Sequence, residues 1–231
     1  MIDVLSNPAW YALTTGNARL ALGNSRVKYF DERVSPFVGL EDSSEDSFIE
    51  LADMVNNEEG IRLFISPVEV NVPAPWQVVA CVNCYQMVWK GSALPSAYDD
   101  EVTVLNESHI PDMLALTKLT NPGPFAMQTI EFGHYRGVFA DGKLVAMAGQ
   151  RLNPSPYAEI SAVCTHPDHL GKGYARMLLN HHINRVTAAS GIPFLHVKHD
   201  NDRAITVYKS LGFEINKELL FYVLHKAEGA I

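Results

Sequence analysis

The chain has 231 residues, of which 47% are hydrophobic, with three cysteines and a formal net charge of −8. That is enough apolar material for one large domain or two small ones around real cores. No apolar run approaches the ~20 residues of a membrane span, and MIDVLSNPAW at the start lacks the basic-then-apolar layout of a signal peptide, so no membrane association is expected. Three cysteines do not make a disulfide framework, which points to a reducing cytoplasm. Residues 1–100 hold 6 Lys and Arg against 14 Asp and Glu, and residues 101–231 hold 12 against 12. A nucleic-acid partner is not expected from such a balance. The acidic half would attract a cationic amine or simply keep the chain soluble.

In chain order, the first signal is a helix. Ser47 and Glu50 have capping-box spacing, and Phe48, Leu51, Ala52 and Val55 form a helical stripe behind them. IRLFIS at 61–66 and QVVACV at 77–82 read as strands. Cys81 and Cys84 point to opposite faces of a regular strand, and no second pair completes a zinc site, so no metal is expected. GSALPS at 91–96 reads as a linker. It divides an N-terminal α/β region, 1–95, from a second unit, 101–231.

Residues 131–150 read as two strands with Asp141-Gly142 as the hairpin turn. AEISAVCT at 158–165 is a further strand, ended by His166-Pro167. A helix is expected from about Gly171 to Ser190. Ala175, Leu178, Leu179, His182, Ile183 and Val186 share its buried face, and Lys172, Arg176, Asn180 and Asn184 face away. Gly191 is the expected C′ residue, followed by Pro193. Between strand and helix lies HPDHLGKGYA, 166–175, with two glycines one residue apart. A glycine turn running into a helix leaves the first-turn N–H groups free, and with the helix dipole they form a socket for phosphate.

Two phosphate loops are excluded by side chain. A P-loop needs Lys then Ser or Thr after its last glycine, and Tyr174 follows Gly173. The dinucleotide fingerprint would put its third glycine at Arg176. Leu170-Gly171-Lys172-Gly173-Tyr174-Ala175 instead resembles the acyl-CoA pyrophosphate loop, [QR]-x-x-G-x-[GA], of the GNAT superfamily of N-acyltransferases. After a strand at 194–199, Asn201, Ala204, Tyr208 and Leu211-Gly212-Phe213 match that family's N-x-x-A-x-x-x-Y-x-x-x-G-F. Asp202 is the expected cap of this second helix, and Gly212 its stop. The resemblance covers roughly residues 101–226. One position departs from the pattern: Leu170 stands where the family has a polar side chain, so His169, Lys172 or Arg176 would compensate.

The resemblance implies a GNAT fold, α/β, with a mixed central sheet flanked by helices. The N-terminal half would be a degenerate copy of it, as in glycine-N-acyltransferase-like members. It implies acetyl-CoA, or another acyl-CoA, as co-substrate, bound by Val163, Cys164, Thr165, Leu170, Gly171, Lys172, Gly173, Tyr174, Ala175, Arg176 and Asn201. The acceptor would be a small-molecule amine, an amino acid or a protein amine, and the enzyme a monomer or homodimer. An alkylammonium with a pKa of ~10.4 is only about one part in a thousand neutral at pH 7, so its proton must be removed. The oxyanion needs a donor, which the resemblance assigns to a backbone N–H freed by a bulge around Val163–Thr165. Tyr208 is the expected proton donor to the departing thiolate. Glu159, alternating with Ser161, Val163 and Thr165 on one strand face, is the leading base; Glu131, His134 and His196 are alternatives. Two other readings stand beside this one: a non-catalytic acyl-CoA-binding module, favoured by Leu170, and an amino-acid N-acyltransferase using longer acyl-CoA.

Overall fold

The sheet is built from both ends of the chain. The computed structural model describes residues 3–55, 60–91 and 102–227. The 92–96 part of the expected linker and the boundary at 95–101 lie outside the described residues. Helix α1 (Pro8–Thr14), strands β1 (Ala21–Gly23), β2 (Val27–Phe30) and β3 (Val38–Leu40), helix α2 (Glu45–Met54) and strands β4 (Ile61–Ser66) and β5 (Trp76–Trp89) form the first part. Strand β6 (Thr103–Val104), helix α3 (Ile110–Thr120) and strands β7 (Arg136–Ala140), β8 (Lys143–Gln150) and β9 (Tyr157–Thr165) follow. Then come helix α4 (Tyr174–Ala188), strand β10 (Ile192–Lys198), helix α5 (Asp202–Ser210) and strand β11 (Phe213–Lys226).

Among the described residues β1–β3 make a small antiparallel sheet, and the other eight strands one large sheet in the order β4-β11-β5-β10-β9-β8-β7-β6. This is the mixed α/β sheet expected from the sequence, since β9–β10 is parallel and its neighbours are antiparallel. Strand β5, from the N-terminal region, lies between β10 and β11, so the two halves share one sheet. The largest core cluster crosses the same division, joining Leu13, Phe30 and Phe37 to Met113, Met147 and Phe194.

Strand β8 is buried along seven of its eight residues because α3 and α4 cover opposite faces, which explains its unbroken apolar run. The β7–β8 turn is formed by Asp141 (φ 49°) and Gly142 (φ 74°), the two positive φ values a tight hairpin requires. The strand expected from 131 starts only at Arg136. Thr129–Phe132 is a 3₁₀ turn, and Gly133 and His134 both take positive φ, outside the extended backbone of a regular strand.

Helix ends differ from expectation in four places. The cap of α2 is Ser44, whose hydroxyl accepts from Ser47 N–H, with Asp42 Oδ1 accepting from both serine hydroxyls. The capping box expected at Ser47 is thus one turn late, and Ser47 is fully buried. Helix α4 begins at Tyr174, because Gly173 (φ 84°) and Gly171 (φ 78°) are left-handed and cannot be helical. At its other end Ser190 (φ 59°), not Gly191, takes the left-handed position. Gly191 is instead in a tight place, since a Cβ there would sit 3.1 Å from Val186 Cγ1. The cap of α5 is Asn201, whose Oδ1 accepts from Ala204 N–H at 3.1 Å; Asp202 is the first helical residue. On α4, Asn180 is also buried rather than facing away.

His182 on α4 is fully buried. Burial, reinforced by Arg185, His181 and Arg136, pushes its pKa down to about 3. A base whose folded pKa is depressed binds its proton more readily in the unfolded chain, so stability falls as pH drops from about 6.5 toward 3. The expected slope from this residue is at most about 1.4 kcal/mol per pH unit. His182→Leu should flatten that limb of the urea-unfolding profile. An unchanged acid limb in the variant would show that His182 does not titrate on unfolding.

Candidate active site

The cleft arises where two strands part. Strands β9 and β10 pair only through Tyr157–Glu159 and Ile192–Phe194. Beyond that, β10 stays with β5 while β9 stays with β8. On β9 the register slips: Met147 faces Cys164 but Gly149 faces Ser161, so Ala162 and Val163 together oppose Ala148. Ala162 has φ 53°. This is a bulge, which leaves a backbone group of the strand unpaired beside the gap. It lies at Ala162–Val163, at the leading edge of the 163–165 span expected for it. The opening between the strands, with α4 and α5 at its mouth, encloses about 1200 Å³.

The bulge also resets the side-chain alternation. Ala162 and Cys164 pack with Tyr157 in the main core, whereas Val163 packs with Ile160 toward α4. Glu159 and Val163 therefore do not share a face, contrary to the simple alternation. Val163, Cys164 and Thr165 line the cleft, as do Leu170, Gly171, Gly173, Tyr174, Ala175, Arg176, Asn201 and Tyr208. Thr165 Oγ1 is buried and without a hydrogen-bond partner among the described residues.

Gly173 is the N-cap of α4 and supplies no side-chain cap. The first hydrogen bond closing the helix is Met177 N–H to Gly173 O, so Tyr174, Ala175 and Arg176 present free N–H groups at its positive end. A Cβ placed on Gly171 or Gly173 meets nothing within 4 Å, so this side of the loop is open. These features fit a diphosphate. Arg176 Nη2 donates to Ser210 Oγ at 2.6 Å, tying α4 to α5. Lys172 precedes the helix and lies 3.2 Å from His169 Nδ1. Leu170, 44% exposed, offers no polar contact of its own. Cys164 is a buried thiol that burial pushes up to about 11, so it is no nucleophile at neutral pH.

Tyr208 lies on α5 with its ring against Phe213 and only 9% of its surface exposed. Burial pushes its phenol up to about 12, which keeps it protonated at neutral pH. Its hydroxyl makes no hydrogen bond to any described residue.

Glu159 does not line the cleft and is wholly buried. Arg151 Nε and Nη2 donate to its two oxygens at 3.0 and 2.5 Å, Leu152 N–H donates at 3.0 Å, and His196 Nδ1 lies 2.7 Å away. Burial pushes the carboxyl up, but Arg151 and then His196 outweigh it and hold it down at about 2. A carboxylate so stabilised is a poor proton acceptor. His196 is itself fixed, with Nε2 3.1 Å from Gln86 Nε2, whose Oε1 accepts from Asn216. Among the other base candidates, Glu131 sits in the 3₁₀ turn and His134 in the left-handed corner after it, both away from the cleft. Sequence reasoning missed Arg151 and the apolar residues Phe37, Leu63, Val82, Phe221 and Val223, all of which line the cleft. None carries a motif; only strand register brings them there.

The chain matches the FR47-like protein family over residues 135–222. A protein from Novosphingobium aromaticivorans assigned to the GNAT family of acetyltransferases is 31% identical and superposes with a TM-score of 0.90, covering 98% of this chain and 100% of that one. The chain belongs to the GNAT family. The N-alpha-acetyltransferase RimI of Mycobacterium tuberculosis is 36% identical over 84 residues, 35% of this chain and 52% of that protein, so the match spans about half the length of this curated relative. A GCN5-related N-acetyltransferase from Kribbella flavida shares the fold at a TM-score of 0.61 and 15% identity, with 95% of each chain covered. Among the described residues no helix is long and apolar enough to cross a membrane.

Proposed function

We propose that the chain is an N-acetyltransferase that moves the acetyl group of acetyl-CoA to a primary amine by direct attack. One observation carries the reading: the bulged opening between β9 and β10 is lined both by the uncapped N-terminus of α4 and by Tyr208 of α5. In this reading the free N–H groups of Tyr174–Arg176 hold the diphosphate, and the bulge at Ala162–Val163 provides the oxyanion donor. Tyr208 donates its proton to the departing thiolate. Asn201 borders the thiol end as the cap of α5.

Glu159 takes a different part from the base. It fixes Arg151 and His196 and is a positioning residue. The amine then reaches the carbonyl after giving its proton to water, helped by a cleft whose low polarity disfavours the ammonium form. All three cysteines are thiols, which agrees with a cytoplasmic site of action.

Tyr208→Phe tests the reading. The expected loss in kcat is about ten- to a hundredfold, at or below the low end for general acids, because a thiol with a pKa near ~8.5 leaves readily. KM for acetyl-CoA should stay within about twofold, since removing a group that acts in the transition state lowers kcat without weakening binding. Thiol release followed over pH 6–9 with an amine panel is the measurement. A variant that turns over like the wild type at every pH would remove Tyr208 from the mechanism. Coenzyme A binding with no thiol release from any amine would instead identify a binding module.

A further inference from the structure

The cleft exceeds the roughly 300–1,000 Å³ typical of a single small-ligand site, leaving room for two reactants end to end. Its end away from α4 is walled by the sheet itself. In β4, β11 and β5, Leu63 faces Val223 and Val223 faces Ala80; Ile65 faces Phe221 and Phe221 faces Val82. Successive residues of a strand alternate, so these two rows project from one face and make a flat apolar wall. Phe37 closes it from the β3 side, paired edge-to-face with Phe221 at 6.0 Å.

The ionisable side chains at this end, Arg151 and His196, are already engaged. Arg151 and Glu159 cancel in charge, and both nitrogens of His196 have partners. Among the described residues Asp200 is the one acid lining the cleft, and it lies at the α5 end beside Asn201. A second ammonium on the acceptor would therefore be desolvated here with no carboxylate to meet it. Arg151 nevertheless keeps one unused edge. Its Nε and Nη2 hold Glu159 while its plane covers Phe37 at 4.6 Å. Its Nη1 makes no hydrogen bond among the described residues and sits beside Gly123, 3.9 Å from where a Cβ on that glycine would be. The side chain stays 12% exposed. Because Glu159 already balances the guanidinium, an uncharged oxygen suits Nη1 better than a second carboxylate, which would leave net buried charge.

We propose, on the acyltransferase reading above, that the acceptor is a monoamine carrying a bulky apolar group and an uncharged carbonyl oxygen. The apolar group lies on the Leu63–Phe221–Val82 wall and the oxygen accepts from Arg151 Nη1. A peptide N-terminus or amino-acid amide with a large apolar side chain has this chemistry. Polyamines and simple diamines do not.

The test is an acceptor series with acetyl-CoA, read as thiol release. Phenylalaninamide should exceed phenethylamine, which lacks the carbonyl, and phenylalanine, which adds a charge, by about tenfold or more in kcat/KM, and glycinamide by about a hundredfold. Cadaverine should not react. Val82→Asp, on the part of β5 beyond its pairing with β10, should lower kcat/KM for phenylalaninamide at least about tenfold with KM for acetyl-CoA unchanged; Val82→Thr, a milder change, serves if the aspartate variant does not fold. Equal turnover of cadaverine, glycinamide and phenylalaninamide would overturn the proposal while leaving acyl transfer intact. So would a preference for hexanoyl-CoA over acetyl-CoA with a flat acceptor series, because the wall would then belong to the acyl chain. Calorimetric binding of phenylalaninamide to the coenzyme A complex with no transfer would overturn the transfer reading alone. Neither binding nor transfer would overturn both.

Discussion

Gly173→Asp should lower coenzyme A affinity about a hundredfold while the protein stays folded. Gly173 sits at φ 84° as the N-cap of α4, with open space where a side chain would begin. An aspartate has two ways to settle there. It can keep the left-handed backbone, at a strain of about 1–2 kcal/mol, with its carboxylate at the mouth of the helix. Or it can relax to an ordinary cap and accept the N–H groups that the diphosphate needs. In either case a negative charge lies within about 5 Å of a phosphate, worth about 3 kcal/mol at an effective dielectric near 20, which is about a hundredfold. Gly173→Ala separates the causes, because it brings the strain without the charge and should cost about tenfold in affinity or less. Titration calorimetry with coenzyme A measures both. If the aspartate variant bound like the wild type, diphosphate recognition at α4 would be wrong.

What the sequence revealed about this site follows from how local each feature is. Gly171, Gly173 and the Asn201–Tyr208 spacing are legible because a left-handed turn and a helix cap restrict residue type within a few positions. The expected start of α4 lies three residues early because Lys172 and the glycines do not interrupt an apolar period; only the positive φ values of Gly171 and Gly173 do. The bulge is a property of two strands. Nothing in AEISAVCT says that Ala162 lacks a partner until Gly149 is seen opposite Ser161. For the same reason the sequence offers Glu159 as the leading base, on one face with Val163 and Thr165. Its partners Arg151 and His196 lie 8 and 37 residues away, and no periodicity connects them. The far wall was illegible in another way. Leu63, Val82, Phe221 and Val223 are ordinary strand residues, and they become a pocket only because β5 runs between β10 and β11.

The buried Arg151–Glu159 pair sets the second large effect. Glu159→Ala should destabilise the fold by about 3–5 kcal/mol, the usual result of stranding one member of a buried ion pair. Arg151 would keep its charge with no counterion, and Leu152 N–H and His196 Nδ1 would lose their acceptor. Against a total stability of about 5–15 kcal/mol for a domain, that is a large share, and urea unfolding at pH 7 should show it directly. The wild-type dependence on pH has a definite sign. Glu159 is held at about 2 in the folded protein against 4.5 ordinarily, so its stabilisation is present above about 4.5 and is lost as pH falls toward 2. The alanine variant lacks that loss, and the gap between the two proteins should close below pH 3. Replacing both residues, Arg151→Met with Glu159→Leu, removes the desolvated charges together and should recover part of the stability, with Leu152 N–H and His196 Nδ1 still lacking their acceptor. That double variant also deletes the Arg151 Nη1 donor. Retained folding and acetyl-CoA binding with loss of the preference for phenylalaninamide over phenethylamine would then assign acceptor recognition to Arg151 itself, while a double variant as unstable as Glu159→Ala would contradict the electrostatic account.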